Sequence, residues 1–139
     1  MPEFLFVTHG HMATGVKSTL EIITGSCPNL TSIDAYVDSE NIVELVDKYF
    51  DRLPDDKQLI MLSDIENGSA NQLLFKHLDR PNTFLIAGTN FPLVLQLVLN
   101  GKETDLTEKD LKNAISEARD AIKLFQELNL DDDDSESFF

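Results

Sequence analysis

The stretch FLFVTHG, residues 4–10, determines the fold class of this chain. Four consecutive apolar residues, 4–7, favour a strand that is buried on both faces, as in the centre of a parallel sheet. Polar residues and Gly10 follow where such a strand ends, and glycine allows the chain to turn there. The same arrangement recurs twice: LIML is followed by SDIENGS from residue 59, and TFLIA is followed by GTNFP from residue 83.

Helical patterns alternate with these strand patterns. Val16, Leu20 and Ile23 recur at helical spacing before Gly25, which fits a helix C-cap, and a weaker strand pattern covers residues 30–37. Four more helices are predicted further along the chain. The first covers residues 42–53, with Asp38 or Ser39 as the N-cap and an end before Pro54, and the second covers residues 69–78. The third has Pro92 as its first residue and runs to residues 100–101. The last is a long helix that begins with a capping box of Thr107 and Asp110 and carries an apolar stripe of Leu111, Ile115, Ala118, Ile122 and Phe125.

Strands that alternate with helices predict an α/β fold. We expect a three-layer sandwich in which a mostly parallel central sheet, with the flavodoxin-like strand order 2-1-3-4, carries helices on both faces. An extra edge strand near the C-terminus is a further option. No repeat or linker divides the chain, so residues 1–130 are predicted to form a single domain. Residues 131–139, which contain five acids, are predicted to form a disordered tail.

The composition argues against several classes of function. The formal net charge is −14, and the five acids of the tail are less than half of it, so the body should repel nucleic acid. No apolar run is long enough to span a bilayer, and the N-terminal sequence lacks the basic region of a secretory signal. We therefore expect a cytoplasmic protein. The single cysteine, Cys27, has no second cysteine to pair with and is expected to be a semi-buried loop residue.

The reactive side chains are expected where the strands end. In an open α/β sheet, ligands bind at the carboxyl ends of the strands, near the point where the strand order reverses. With the order 2-1-3-4 the first and third strands are neighbours, so His9 and Asp64 should emerge side by side. A carboxylate beside an imidazole fixes its tautomer and orientation and leaves the other ring nitrogen free to attack. The pair therefore suits a nucleophilic histidine.

A phosphoryl group on His9 would carry about two negative charges and would need hydrogen-bond donors around it. Gly10 permits close approach of the backbone, and the helix that follows offers the positive end of its dipole. The loop around Gly68 and Ser69 offers backbone amides and a hydroxyl. We therefore predict that Gly10, Gly68 and Ser69 bind phosphate.

Three segments carry a resemblance to a known family. They are FLFVTHG at residues 4–10, LSD with NGS at residues 62–64 and 67–69, and GTNFP at residues 88–92. In this order and spacing they resemble the opening strand, the aspartate with its glycine-serine loop, and the Gly-x-Asn-hydrophobic-Pro signature of the mannose-family IIA proteins of the bacterial sugar phosphotransferase system. The loop departs from the family's Gly-Gly-Ser-Pro form, because this chain has NGSA at residues 67–70.

The resemblance implies a phosphocarrier. In that family the histidine of the first strand accepts a phosphoryl group from the small carrier HPr and passes it to a IIB protein or domain, which phosphorylates the sugar; the membrane components IIC and IID take part indirectly. The matching histidine is His9, the aspartate that orients it matches Asp64, and the serine that binds phosphate matches Ser69. The long apolar stripe of the last helix and the resemblance together suggest a homodimer, and we expect neither a cofactor nor a metal.

Two other functions stay open on the sequence. A phosphocarrier subunit of a dihydroxyacetone kinase shares the architecture and the strand-one histidine, although the NFP segment at residues 90–92 favours sugar transport. A non-catalytic regulatory module with the same fold is the second alternative, and the presence of both His9 and Asp64 argues against it. His9 and His11 are not expected to bind a metal, because no further ligand lies nearby in sequence. The family that this chain resembles varies at the position of His11, which is therefore interpreted as a rim residue, and His77 is interpreted as a partly exposed helix residue.

Overall fold

The fold is that of a four-stranded parallel sheet with the strand order 2-1-3-4, seen in a computed structural model that describes residues 1–126. The predicted α/β class and strand order are confirmed. The strands are β1 (Glu3–His9), β2 (Leu30–Ala35), β3 (Leu59–Ser63) and β4 (Thr83–Ile86). The helices are α1 (Met12–Thr24), α2 (Ile42–Arg52), α3 (Ser69–Phe75), α4 (Phe91–Asn100) and α5 (Glu108–Asp120), with a 3₁₀ turn at Lys76–Asp79.

The sheet separates two hydrophobic cores, because successive residues of a strand point to opposite faces. Phe4 and Phe6 of β1 pack on the face covered by α1, α4 and α5, whereas Leu5 and Val7 pack on the face covered by α2 and α3. All four side chains are completely buried. Right-handed crossovers place α1 and α2 on opposite faces, because the chain moves in opposite directions across the sheet in these two connections. The architecture is the predicted three-layer sandwich.

Several predicted helix boundaries are confirmed. Gly25 ends α1 with a φ of 87°, a left-handed conformation that glycine adopts without strain, although Ile23 in the last turn is exposed rather than buried. The capping box of α5 is present: the Thr107 hydroxyl accepts from the Asp110 amide at 3.1 Å, and the Asp110 carboxylate accepts from the Thr107 amide at 2.8 Å. Helix α2 stops before Pro54, as expected.

The N-caps of α2 and α4 differ from the prediction. Asn41 caps α2, instead of Asp38 or Ser39, because its side-chain oxygen accepts a hydrogen bond of 2.9 Å from a backbone amide of the first turn. Asn90 caps α4 in the same way, with a hydrogen bond of 3.0 Å, so Pro92 is the second residue of the helix rather than the first. Both caps sit one to three residues from the predicted ones, where local sequence offers several suitable side chains.

Three predicted elements end earlier than expected. Strand β2 stops at Ala35, because Tyr36 adopts a φ of 65° and leaves the extended conformation. The 3₁₀ turn replaces the last turn predicted for α3. Helix α5 ends at Asp120, so Ile122 and Phe125 do not continue its apolar stripe, and Ile122 is exposed. The apolar period alone gave no stop signal at this point.

The C-terminal part of the prediction is only partly covered by the described residues. Between Ile86 and residue 126 the chain forms no further strand, so the optional edge strand is absent from that stretch. The predicted tail, residues 131–139, lies outside the described residues, as do the last residues of the predicted domain. In residues 1–126, none of the helices combines the length and apolar character that crossing a membrane requires. Cys27, in the loop after α1, is buried rather than semi-buried.

Candidate active site

His9 is the last residue of β1, at the carboxyl edge of the sheet, and its side chain is 41% exposed. A hydrogen bond links the end of β1 to the first turn of α1: the buried Thr8 hydroxyl accepts from the Ala13 amide at 2.9 Å. Gly10, with a φ of 61°, makes the turn between the strand and the helix. The imidazole is therefore exposed to solvent, while its backbone is held at the end of a hydrogen-bonded strand.

Asp64, the first residue after β3, holds one side of the imidazole. Its Oδ2 accepts hydrogen bonds from the His9 amide and from His9 Nδ1, both at 2.9 Å. Burial alone would raise the pKa of Asp64, but these hydrogen bonds and the charge of His9 hold that pKa below the ordinary value of 3.8. An ionised carboxylate only accepts hydrogen bonds, so Nδ1 carries the proton and the neutral ring has its free electron pair on Nε2.

Two hydroxyl groups lie on the Nε2 side of the ring. Ser69 opens α3, and its Oγ is 3.4 Å from His9 Nε2. The hydroxyl of Tyr36, just beyond β2, is 2.7 Å from the same Oγ, and the rings of Tyr36 and His9 have centroids 5.4 Å apart. Because Nε2 is an acceptor, Ser69 donates to it and Tyr36 donates to Ser69. The two hydroxyls border the space that an atom bonded to Nε2 would enter.

Gly68 lies directly against the imidazole. A Cβ atom at this position would stand 2.8 Å from Ile65 Cγ1 and 3.0 Å from His9 Cε1, closer than ordinary contacts allow. Its φ of −84° is one that any residue adopts, so the lack of space, and not the backbone conformation, favours glycine here. The missing side chain lets the loop after β3 close over the ring and bring Ser69 to Nε2.

A second histidine–aspartate pair lies at the start of α1. His11 Nδ1 is 3.0 Å from Asp34 Oδ2, and Asp34 also accepts from the Thr14 amide at 3.0 Å and the Thr14 hydroxyl at 2.6 Å. Burial opposes ionisation of Asp34, but the hydrogen bonds from Thr14 and His11 hold its pKa below the ordinary value. The pair fastens α1 to β2, and the His11 side chain is 79% exposed. Within residues 1–126, no group of three or more His, Cys, Asp or Glu side chains is arranged to hold a metal ion.

The sequence can be assigned to a family. Residues 3–115 match the sequence profile described as PTS system fructose IIA component, where PTS denotes the phosphoenolpyruvate-dependent sugar phosphotransferase system. The chain belongs to this IIA family. Membership implies a phosphocarrier role in sugar transport. No curated protein sequence matches the chain.

Solved structures agree with this assignment. A sugar phosphotransferase system permease from Klebsiella pneumoniae is 31% identical, with a TM-score of 0.82 over 88% of this chain and 90% of that one. Two IIA proteins share the fold at lower identity. The IIA protein associated with the fucose utilization operon of Streptococcus pneumoniae is 23% identical, with a TM-score of 0.72 over 94% of this chain and 93% of that one. The mannose/sorbose-specific IIA subunit of Enterococcus faecalis is 13% identical, with a TM-score of 0.75 over 92% of this chain and 97% of that one.

In this IIA-family chain, most of the residues predicted from the sequence come together. His9, Asp64, Gly68 and Ser69 form one contiguous group. Gly10 contributes the turn, but its amide donates to the Ala35 carbonyl at 2.9 Å and is therefore already engaged. The catalytic and phosphate-binding roles of these residues stay predictions. His77 lies in the 3₁₀ turn, is partly exposed as expected, and stacks on a phenylalanine of α2.

Sequence reasoning missed Tyr36. The residue belongs to no motif of the IIA family segments quoted above, and it was assigned to a strand. The rule that led to His9 and Asp64 would also have led to it, since β2 is the other neighbour of β1 and Tyr36 follows its carboxyl end. What the sequence could not indicate is the left-handed backbone that turns the side chain toward His9.

Gly68→Ala tests the close packing of this loop on the imidazole. We expect phosphoryl acceptance to slow by about tenfold, because the new methyl group displaces His9 or the loop that carries Ser69 by a few tenths of an ångström. The free energy of unfolding should change by less than about 1 kcal/mol. Acceptance rates and thermal unfolding measure the two effects.

Gly15→Ala is the matched control for this substitution. Gly15 lies in α1, and a Cβ atom there would meet nothing within 4 Å. This variant should accept phosphate like the wild type and be more stable by about 0.5–1 kcal/mol, because alanine favours the helix. Equal rates for Gly68→Ala and Gly15→Ala would show that the close approach of Gly68 to His9 does not matter for transfer.

Proposed function

We propose that this protein carries a phosphoryl group on Nε2 of His9, which it accepts from phospho-HPr and passes to a IIB protein or domain. One observation carries the proposal. Asp64 occupies Nδ1, while Nε2 keeps a free electron pair and faces hydroxyl donors at an exposed edge of the sheet. Membership of the IIA family supports the phosphocarrier role, and the site supplies the atom that would do the chemistry.

The transfer is an exchange between two imidazoles. The Nε2 electron pair of His9 attacks the phosphorus of the donor's phosphohistidine, and a new N–P bond forms as the donor N–P bond breaks. The donor ring, which is protonated on its other nitrogen, keeps the electron pair of the broken bond and leaves as a neutral imidazole. His9, with a proton still on Nδ1, becomes a phosphorylated imidazolium. The reverse exchange with a nucleophile of the IIB partner returns His9 to the neutral form.

Asp64 stabilises the positive ring that forms in this step. Its carboxylate is 2.9 Å from Nδ1, and its lowered pKa keeps it ionised at neutral pH. A second bond, from the His9 amide to the same oxygen, fixes the carboxylate relative to the strand. A rigid carboxylate already in place needs no reorganisation when charge develops, so Asp64 lowers the barrier by preorganisation.

Ser69 and Gly68 make up the phosphoryl side of the proposed site. Once Nε2 is phosphorylated it no longer accepts a hydrogen bond, so the Ser69 hydroxyl is released to donate to a phosphoryl oxygen. Gly68 leaves room for this by placing no side chain beside the imidazole. A hydroxyl at 3.4 Å, rather than at a tight hydrogen-bonding distance, suits a site that must admit a larger group.

One incubation tests the proposal and separates it from the two alternatives. The protein is mixed with HPr, the kinase that phosphorylates HPr, and phosphoenolpyruvate, and the acid-labile phosphohistidine is located by mass spectrometry. Phosphorylated protein is then offered either IIB or the dihydroxyacetone kinase subunits. We expect phosphate on His9 and discharge to IIB. Discharge only to the kinase subunits would establish the other phosphocarrier role, and no uptake at all would establish a non-catalytic module.

The proposal also includes a cytoplasmic homodimer. The apolar stripe of α5 gives this no support, because its residues Leu111, Ile115 and Ala118 pack in or against the protein's own core. The proposal therefore rests on the family resemblance. Sedimentation should give twice the monomer mass at micromolar concentration, and a monomer there would contradict it.

Association with a basic donor surface should depend on salt. The formal charge of −14 steers such a partner toward this protein, and salt screens that attraction over about 10 Å at 0.1 M. We expect the second-order rate of transfer from phospho-HPr to fall about fivefold or more as salt rises from low to about 0.5 M. Truncation after Leu130 should change the rate only slightly, because most of the negative charge lies before that residue. A large loss on truncation would identify residues 131–139 as a docking element.

A further inference from the structure

Tyr36 is placed at the phosphoryl side of His9 by contacts that the proposed function leaves unused. Its hydroxyl is 2.7 Å from Ser69 Oγ, the atom nearest His9 Nε2, and its ring lies 5.4 Å from the imidazole, inclined by 31°. We infer that the Tyr36 hydroxyl is a direct ligand of the phosphoryl group on His9, donating to a phosphoryl oxygen beside Ser69. The inference rests on the proposed phosphorylation of His9.

The hydrogen bonds of the unphosphorylated site indicate how the two hydroxyls would rearrange when His9 is phosphorylated. Tyr36 donates to Ser69, and Ser69 donates to Nε2, as long as Nε2 has a free electron pair. A phosphoryl group on Nε2 removes the acceptor at the end of this chain and introduces three oxygens in the space next to both hydroxyls. Each hydroxyl then has a charged acceptor available, and hydrogen bonds to charged acceptors are about twice as strong as those between neutral groups.

The charge balance of the site requires such donors. Among residues 1–126, no lysine or arginine hydrogen-bonds to His9, Asp64 or Ser69, and Asp64 brings a negative charge to the other side of the ring. The amide of Gly10 is already bonded to a carbonyl. On the Nε2 side of the ring, the hydroxyls of Ser69 and Tyr36 are neutral side-chain donors that a dianionic phosphoryl group can use.

The backbone of Tyr36 argues against a merely structural role. Its φ of 65° is in the left-handed region, which costs a residue with a Cβ atom about 1 kcal/mol or more and which glycine adopts freely. The residue is 58% exposed, so burial gives little stability in return. The strained turn after β2 has one visible effect, which is to bring the ring and hydroxyl of Tyr36 over the His9 site.

The test compares Tyr36→Phe with the wild type in phosphoryl exchange with HPr. Phenylalanine keeps the ring against His9 and removes only the hydroxyl. The equilibrium constant for transfer to His9 should fall about tenfold, and phospho-His9 should lose its phosphate to water faster, because one hydrogen bond to a charged group is missing. Both are measured from the fraction of phosphorylated protein by mass spectrometry, with thermal unfolding expected to be unchanged.

Tyr49→Phe is the matched control, because it removes the hydroxyl of the chain's only other tyrosine. Tyr49 lies in a groove of about 460 Å³ between α2 and β2 that also includes Glu3, the first residue of β1, at the opposite end of that strand from His9. Its hydroxyl has no hydrogen-bond partner within residues 1–126, so this variant should exchange phosphate like the wild type. Equal equilibria for Tyr36→Phe and the wild type would overturn the inference.

A double variant separates direct contact from an effect through Ser69. If Tyr36 contacts the phosphoryl group itself, Tyr36→Phe still lowers the equilibrium constant severalfold in a Ser69→Ala background. If Tyr36 only positions Ser69, the substitution has no further effect there, and the inference is wrong. Wild-type protein that takes no phosphate on His9 would instead contradict the proposed function, so the two failures are distinguishable.

Discussion

His9→Ala should abolish phosphoryl acceptance and leave the fold intact. In the proposed mechanism the imidazole supplies the attacking electron pair, and within residues 1–126 no other side chain that is hydrogen-bonded to Asp64 can replace it, so we expect a rate below about one-thousandth of the wild-type value. The free energy of unfolding should change by less than about 1 kcal/mol, because the side chain is 41% exposed and the backbone amide at this position still donates to Asp64. Phosphate uptake by mass spectrometry and thermal unfolding measure the two effects.

His11→Ala is the matched control. His11 is also an exposed imidazole with Nδ1 hydrogen-bonded to a carboxylate, and it lies two residues further along the chain. The His11→Ala variant should retain most of the wild-type rate of phosphoryl acceptance. Persistent uptake by His9→Ala would show that His9 is the wrong residue, and a complete loss in His11→Ala with unchanged folding would move the assignment to His11.

Asp64→Asn should slow acceptance without stopping it. The amide keeps the shape of the carboxylate and one hydrogen bond, but it loses the negative charge that stabilises the imidazolium and selects the Nδ1 tautomer. A charge-assisted hydrogen bond contributes about 1.5–3 kcal/mol, so the acceptance rate should fall about 10- to 100-fold. The measurement is a time course of phosphorylation by phospho-HPr.

The same substitution should have a different effect on the loaded protein. In the proposed phosphorylated form, the carboxylate of Asp64 faces a dianionic phosphoryl group across the imidazole and destabilises it, which would keep the group transferable. Asp64→Asn is therefore expected to retain phosphate longer, and donation to IIB is measured separately from acceptance. Unchanged rates in both directions would remove Asp64 from the mechanism.

Asp34→Asn provides the control for the aspartate. Asp34 pairs with His11 as Asp64 pairs with His9, and its pKa is also lowered. Its carboxylate stabilises the fold at neutral pH, and this contribution is lost as pH falls below 3.8 through the folded-state pKa, because protonation weakens its hydrogen bonds to Thr14. The variant should be less stable by about 1–3 kcal/mol at pH 7, and the difference should shrink at lower pH. Its transfer rates should match the wild type.

Much of this architecture was readable from local patterns. Continuous apolar runs marked the strands, and the capping box at Thr107 and the glycine at residue 25 marked helix ends, because these signals act between residues close in sequence. Ligands bind at the carboxyl ends of strands in open α/β sheets, so the strand order 2-1-3-4 predicted that His9 and Asp64 would be neighbours although they are 55 residues apart.

The details that control the chemistry depend on contacts between distant parts of the chain. The sequence by itself determined the order of elements, the fold class and the candidate nucleophile, because hydrophobic period and residue type act locally. The tertiary structure alone decided that Nδ1 is the occupied nitrogen, that Gly68 touches the ring, and that Tyr36 reaches Ser69 across 33 residues. Such contacts depend on the meeting of three strand ends and on one left-handed backbone angle, and neither leaves a periodic signal in the sequence.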